Sequence, residues 1–143
     1  MREILFICTG NYYRSRYAEA LFNHEASRRG LDWRAFSRGL AVYLAPPDGL
    51  SAHTIRRLQE RGITRDGTGA APVQVQASDF RRAGLVVALK ETEHRPLMAR
   101  LHPGWENRIE YWEISDLDAA TPEVALGAIE AHVMALLAEL GSA

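Results

Sequence analysis

Ile4-Leu5-Phe6-Ile7 is an apolar run with no alternation of apolar and polar positions. A strand with one wet face alternates, whereas a strand covered on both faces does not. The run therefore predicts a central strand with helices on both sides of its sheet. The rest of the chain agrees. Residues 15–29 carry helical periodicity and stop at Gly30, 33–37 read as a second strand, and 50–61 as a second helix closed by Gly62. Residues 64–76, rich in Gly, Ala and Thr, read as a loop, and 85–89 as a third strand. A helix over 91–101 requires Pro96 to mark a start or a break, and 109–112 give a fourth strand. Thr121-Pro122-Glu123 opens the last helix with a cap, a proline and an acid. Val124, Ile129, Val133, Leu136, Leu137 and Leu140 recur at helical spacing as its core face. The alternation predicts an α/β fold, a three-layer sandwich with a four-stranded parallel sheet flanked by helices, in one domain over residues 1–143.

Cys8 is the only cysteine and ends the first strand, at the carboxyl edge where such sheets bind ligands. A lone cysteine in such a turn is most often a small packing residue. The seven residues after Cys8 argue for chemistry instead. Thr9-Gly10-Asn11-Tyr12-Tyr13-Arg14-Ser15 links the strand to a helix, and the N–H groups of such a loop can converge on an anion. The helix start adds unpaired N–H groups and a positive dipole end. Gly10 turns without a Cβ penalty, and Asn11 tolerates a left-handed conformation. Arg14 offers a planar fork for two phosphate oxygens. In that field the Cys8 thiolate is the candidate nucleophile. Ser15 either caps the helix or hydrogen-bonds the sulfur. The segment predicts a phosphate-binding loop after strand 1, formed by residues 9–15.

The stretch from Cys8 through Arg14-Ser15 to Ala18-Glu19 resembles the signature of the low-molecular-weight protein tyrosine phosphatases. That family shows Cys, any residue, Gly, Asn, any residue, usually a second Cys, then Arg-Ser and later Ala-Glu. Ser37-Arg38-Gly39 resembles its Ser-Ala-Gly turn, and Ser51-Ala52-His53-Thr54 its Ser-Pro-His helix start. Asp79-Phe80, the 85–89 strand and Trp112-Glu113-Ile114-Ser115-Asp116 extend the likeness over nearly the whole chain. The resemblance implies hydrolysis of phosphotyrosine or a small aryl phosphate through a phosphocysteine, without cofactor or metal. It makes Cys8, Arg14 and Asp116 the catalytic set, with Asp118 the rival acid. The family's Asp-Pro-aromatic is here Asp116-Leu117-Asp118, so the proline that stiffens that loop is missing. Tyr12 and Tyr43 fall where the substrate ring is walled, and Ser37 where a serine braces the loop through Asn11. Tyr13 replaces the second cysteine, which leaves an oxidised Cys8 without an intrachain thiol.

Four other readings stand beside this one. An arsenate reductase of this fold relays electrons through further cysteines, and none exist here. A phosphoarginine phosphatase shares the chemistry, but a small Thr suits it where Tyr12 stands. A phosphate- or phosphoprotein-binding module with weakened catalysis fits the altered acid loop. A Cys8–His53 protease-like dyad would leave the anion loop without purpose.

Net charge of −1 and a pI near 6.5 give no reason to expect nucleic acid or membrane binding. The histidines at 24, 53, 94, 102 and 132 show no metal-ligand spacing. The single cysteine suits a reducing compartment, hence a cytoplasmic location, and no signal peptide or membrane-length apolar stretch is read. The expected assembly is a monomer or weak dimer.

Overall fold

The computed structural model describes residues 1–46 and 49–142. Four strands, β1 (Arg2–Cys8), β2 (Trp33–Gly39), β3 (Leu85–Ala88) and β4 (Glu110–Tyr111), form one sheet in the order β2-β1-β3-β4. Every ladder is parallel. The helices are α1 (Arg14–Arg28), α2 (Ala52–Glu60), α3 (Ala77–Arg82), α4 (Glu91–Leu101) and α5 (Pro122–Ser142). β1 explains its own sequence. Ile4, Phe6 and Cys8 point to one side, where Tyr17, Leu21 and Phe22 of α1 meet Leu58 of α2 and Ile129, Val133 and Leu137 of α5. Leu5 and Ile7 point to the other, against Phe80 of α3 and Met98 of α4. Two cores on either side of a central strand make the three layers.

Several boundaries move for identifiable reasons. β2 continues to Gly39, because Gly39 pairs with Cys8 in the β1 ladder. β4 keeps only two paired residues, Glu110 and Tyr111. The loop over 64–76 contains a 3-10 turn at Arg65–Gly67 and an isolated bridge from Gln74 to Gly39. Pro96 lies inside α4 rather than at a break, so the helix tolerates the missing N–H. On α5, Val124 is exposed, and Ala125 and Leu126 take the core positions ahead of Ile129. The sequence reading also overlooks that α5, at 21 residues, is long and apolar enough to cross a bilayer. Its alanines, leucines and glycines raise its apolar content all round, while Ile129, Val133 and Leu137 are fully buried against the rest of the chain.

The Cys8–Gly39 register sets the mouth of the site. A Cβ on Gly39 would stand 2.7 Å from Val42 Cγ1, 2.8 Å from the Thr9 carbonyl oxygen and 3.0 Å from Asn11 Cβ. Two of these belong to the loop after Cys8. Gly39→Ala is therefore expected to cost about 1–3 kcal/mol in urea unfolding, as overpacking does. An unchanged unfolding midpoint would show that the loop is not packed on β2 this tightly.

Candidate active site

The chain leaves β1 at Cys8 and turns over it. Asn11 makes the turn with a left-handed backbone, φ 52°. Its side chain fixes what the backbone has done. Nδ2 donates to Ser15 Oγ at 2.9 Å and to Ser37 Oγ at 3.0 Å, and Oδ1 accepts from the Val73 N–H at 2.9 Å. Ser15 Oγ stands 2.9 Å from Cys8 Sγ, so of its two predicted roles it takes the one at the sulfur. Helix α1 begins at Arg14 with no side-chain cap.

The loop's carbonyls are tied outward. Those of Cys8 and Thr9 accept from the N–H groups of Leu40 and Ala41, that of Asn11 from Arg16 Nη1, and that of Tyr12 from the Ser51 N–H. The backbone N–H groups from Thr9 to Ser15 donate to no acceptor among the described residues. A helix start and loop with carbonyls satisfied and donors free is an anion nest.

Behind the nest runs a buried polar chain. Ser37 donates to Glu19 Oε1 at 2.6 Å, as does Thr68 Oγ1, which itself accepts from Arg16 Nε at 2.6 Å. Arg16 also donates to the carbonyls of Gly49 and Gly69, tying three separate segments together. Burial pushes the Glu19 carboxyl above the usual range, against the pull of Ser37, Thr68 and Arg16. Burial likewise pulls Arg16 below its ordinary value, opposed by the charges of Glu19 and Cys8.

Arg14 is 2% exposed and lies between two carboxylates. Nη1 and Nη2 donate to Glu93 Oε1 and Oε2 at 3.1 and 2.6 Å, a two-pronged pair. Nη1 also donates to the Ile114 carbonyl at 2.9 Å, and Nη2 to Asp116 Oδ2 at 3.4 Å. Nε makes no bond to a described residue, so the side edge of the fork remains for an anion. Burial opposes the Arg14 charge, but Glu93, Cys8 and Asp116 outweigh it and hold the guanidinium above its ordinary value.

Glu93 is the residue the sequence reading misses. Thr9 Oγ1 donates to its Oε2, and His94 Nε2 lies 3.1 Å from the same oxygen. His94 Nδ1 accepts from the Lys90 N–H at 3.0 Å, so the neutral ring carries its proton on Nε2 and donates to Glu93. Burial lowers His94 below its ordinary value, against the pull of Glu93. Burial would raise Glu93, but the bonds from His94, Arg14 and Thr9 win and hold it well below the usual carboxylate range. Glu93 sits in the first turn of α4, the helix after β3, and β3 lies next to β1 in the sheet; an acid placed there is the available signal.

Cys8, Tyr12, Tyr13, Arg14, Glu93 and Asp116 line one cavity of about 260 Å³, with Thr9, Gly10, Ser51 and an apolar rim of Leu44, Ala45, Pro46 and Leu117. Asp118 is exposed and lies outside it. The Asp116 loop lacks the proline but is tied otherwise. The Asp116 carbonyl accepts from the N–H groups of Ala119 and Ala120 at 3.0 Å each, and Oδ1 accepts from Leu117 N–H at 2.8 Å. Tyr12 lines the cavity, with its ring against Gly49. Tyr43 does not. It is 81% exposed and faces a neighbouring groove, because the short helical turn Val42–Leu44 carries Leu44 toward Cys8 and Tyr43 away. Tyr13 is buried, and its hydroxyl has no partner among the described residues. Among the described residues no group of three His, Cys, Asp or Glu is placed to hold a metal.

Residues 3–141 match the family described as low molecular weight phosphotyrosine protein phosphatase. The chain is 33% identical over 97 residues to a protein-arginine-phosphatase of Bacillus subtilis, a stretch covering 68% of this chain and 61% of that protein. The matched stretch is thus less than two thirds of that relative's length. A low molecular weight protein tyrosine phosphatase from T. tengcongensis superposes with a TM-score of 0.76 at 25% identity, over 98% of this chain and 97% of that one. YfkJ of Bacillus subtilis superposes with a TM-score of 0.84 at 24% identity, over 99% and 96%.

Glu93 held ionised and His94 held neutral both stabilise the fold near neutral pH. As the pH falls, the contribution of His94 is lost below its ordinary 6.5 and that of Glu93 below its ordinary 4.5. Between pH 7 and pH 4.5 the melting temperature of the wild type should therefore fall more steeply than that of a Glu93→Gln/His94→Gln variant. Parallel profiles over this window would mean that the His94 ring is not perturbed in the folded state.

Proposed function

The chain belongs to the low molecular weight phosphotyrosine protein phosphatase family, and we propose that it hydrolyses aryl phosphate monoesters, phosphotyrosine in particular, as a cytoplasmic enzyme. One observation carries this reading: a sulfur, a carboxylate, and a guanidinium edge and nest of N–H groups that have no partner among the described residues share a single cavity. The Cys8 thiolate attacks phosphorus in line, forming an S–P bond as the P–O bond to the phenol breaks. The loop N–H groups and Arg14 Nε hold the equatorial oxygens as charge shifts toward the leaving oxygen. For Arg14 to add a second prong, its contact with Asp116, the longest it makes at 3.4 Å, is the one to yield. Released from Arg14, Asp116 takes up a proton from solvent as the substrate binds and passes it to the departing phenolate oxygen. It then takes a proton from the water that attacks phosphocysteine, which frees inorganic phosphate and restores the thiolate. The positive field comes from the loop and Arg14, so no step calls for a metal. Tyr12, Leu44, Ala45 and Leu117 give the leaving ring an apolar mouth.

A second reading is hydrolysis of phosphoarginine. The Bacillus subtilis protein-arginine-phosphatase acts in that class, and the paired carboxylates Glu93 and Asp116 would suit a cationic leaving group. Against it stands Tyr12, whose ring narrows the mouth.

The test of the acid is its dependence on the leaving group. Asp116→Asn is expected to slow phenyl phosphate or phosphotyrosine by about 10²-fold or more, and an activated nitrophenyl phosphate far less. Equal losses on both, or a larger effect from Asp118→Asn, would contradict the assignment. Faster turnover of a phosphoarginine peptide than of its phosphotyrosine counterpart would favour the second reading.

A further inference from the structure

Of the seven large apolar side chains exposed among the described residues, four gather at the Cys8 cavity and the groove beside it. Leu44 and Leu117 form the cavity's rim. Tyr43 and Leu101 line a neighbouring groove of about 730 Å³ together with Pro72 and Gln74. Isolated exposed apolar residues need no explanation, whereas a contiguous patch around a cavity marks a binding surface. The groove is built rather than accidental. Gln74 pins its floor, donating from Nε2 to the Leu40 carbonyl at 2.8 Å and accepting the Val42 N–H on Oε1 at 3.1 Å.

Ala45 lines both the groove and the Cys8 cavity, so the two are immediate neighbours. The cavity, about 260 Å³, has room for one phosphorylated side chain. The polypeptide that carries it must leave along the surface, and on this side it meets the groove. A second copy of the chain seated here would cover the mouth that the substrate needs. Resting on the phosphatase reading of Cys8, Arg14 and Asp116, we propose that the groove of Leu40, Tyr43, Ala45, Pro72 and Leu101 binds an apolar side chain of the phosphorylated polypeptide substrate. That side chain lies close in sequence to the phosphorylated residue, and the exposed Arg100 at the groove's edge favours an acidic neighbour beside it.

The experiment compares two phosphotyrosine peptides, one with leucine beside the phosphorylated residue and one with serine there, alongside nitrophenyl phosphate. Wild type should prefer the leucine peptide by about 10-fold or more in kcat/KM, the worth of one apolar contact. Leu101→Asp and Tyr43→Ser should erase that preference and leave nitrophenyl phosphate turnover within about twofold. Tyr43, at 81% exposed, can be changed without disturbing the core. Equal rates for the two peptides, or a preference that survives both substitutions, with nitrophenyl phosphate still hydrolysed, would overturn the groove assignment alone. Failure to hydrolyse nitrophenyl phosphate would overturn the phosphatase reading, and this proposal with it. A concentration-dependent dimer abolished by Leu101→Asp would overturn the substrate assignment and give the groove to a second copy.

Discussion

A loop that must present its N–H groups on one side has to satisfy its carbonyls on the other, and Asn11 is where this chain meets that requirement. The left-handed backbone there reverses the loop over Cys8. The same residue commits its side chain to Ser15, Ser37 and the Val73 N–H. One amide group thereby ties the start of α1 to two segments distant in sequence. The sulfur feels this through Ser15, and β2 feels it through Ser37. Even the close approach of Gly39 to the Thr9 carbonyl belongs to the same constraint, since the loop folds back on that strand.

Charge is handled just as closely. Arg14, Arg16, Glu19 and Glu93 are all buried or half-buried, and buried ions destabilise unless they are paired or hydrogen-bonded. Arg14 meets two carboxylates and a carbonyl, and Glu93 meets three donors. Arg16 spreads its charge over carbonyls of three segments and the Thr68 hydroxyl. Glu93 takes both Nη groups of Arg14 and leaves Nε without a partner among the described residues. In the proposed mechanism Glu93 thus aims the arginine, the loop N–H groups bind the phosphate, and Asp116 moves the proton.

What is legible in the sequence is what depends on local chemistry. The unbroken Ile4-Leu5-Phe6-Ile7 run announces a strand buried on both faces, and the Cys8-to-Ser15 spacing announces an anion loop. What is not legible depends on which face a short turn presents or on contacts across the fold. Tyr43 and Leu44 are neighbours, and only the pitch of a single 3-10 turn sends one to the groove and the other to the cavity. Glu93 reaches Arg14 across 79 positions, and no local pattern encodes that. The Asp116 loop lacks its expected proline, and turn hydrogen bonds from Ala119 and Ala120 tie it instead. Pro96 lacks an N–H and so reads as a start or a break, yet α4 runs through it. Asp116 and Asp118 are separable only by their placement, one in the cavity and one outside it.

The central claim is that Cys8 attacks phosphorus and carries the phosphoryl group. The most direct measurement is to quench the enzyme in acid during turnover of nitrophenyl phosphate and weigh it intact and after proteolysis. With one cysteine in the chain, the mechanism predicts a single added phosphoryl group on the peptide containing Cys8. It also predicts that this species accumulates in Asp116→Asn, where water attack lacks its base. Turnover with no phosphorylated enzyme in either form, or phosphate found on another residue, would contradict it.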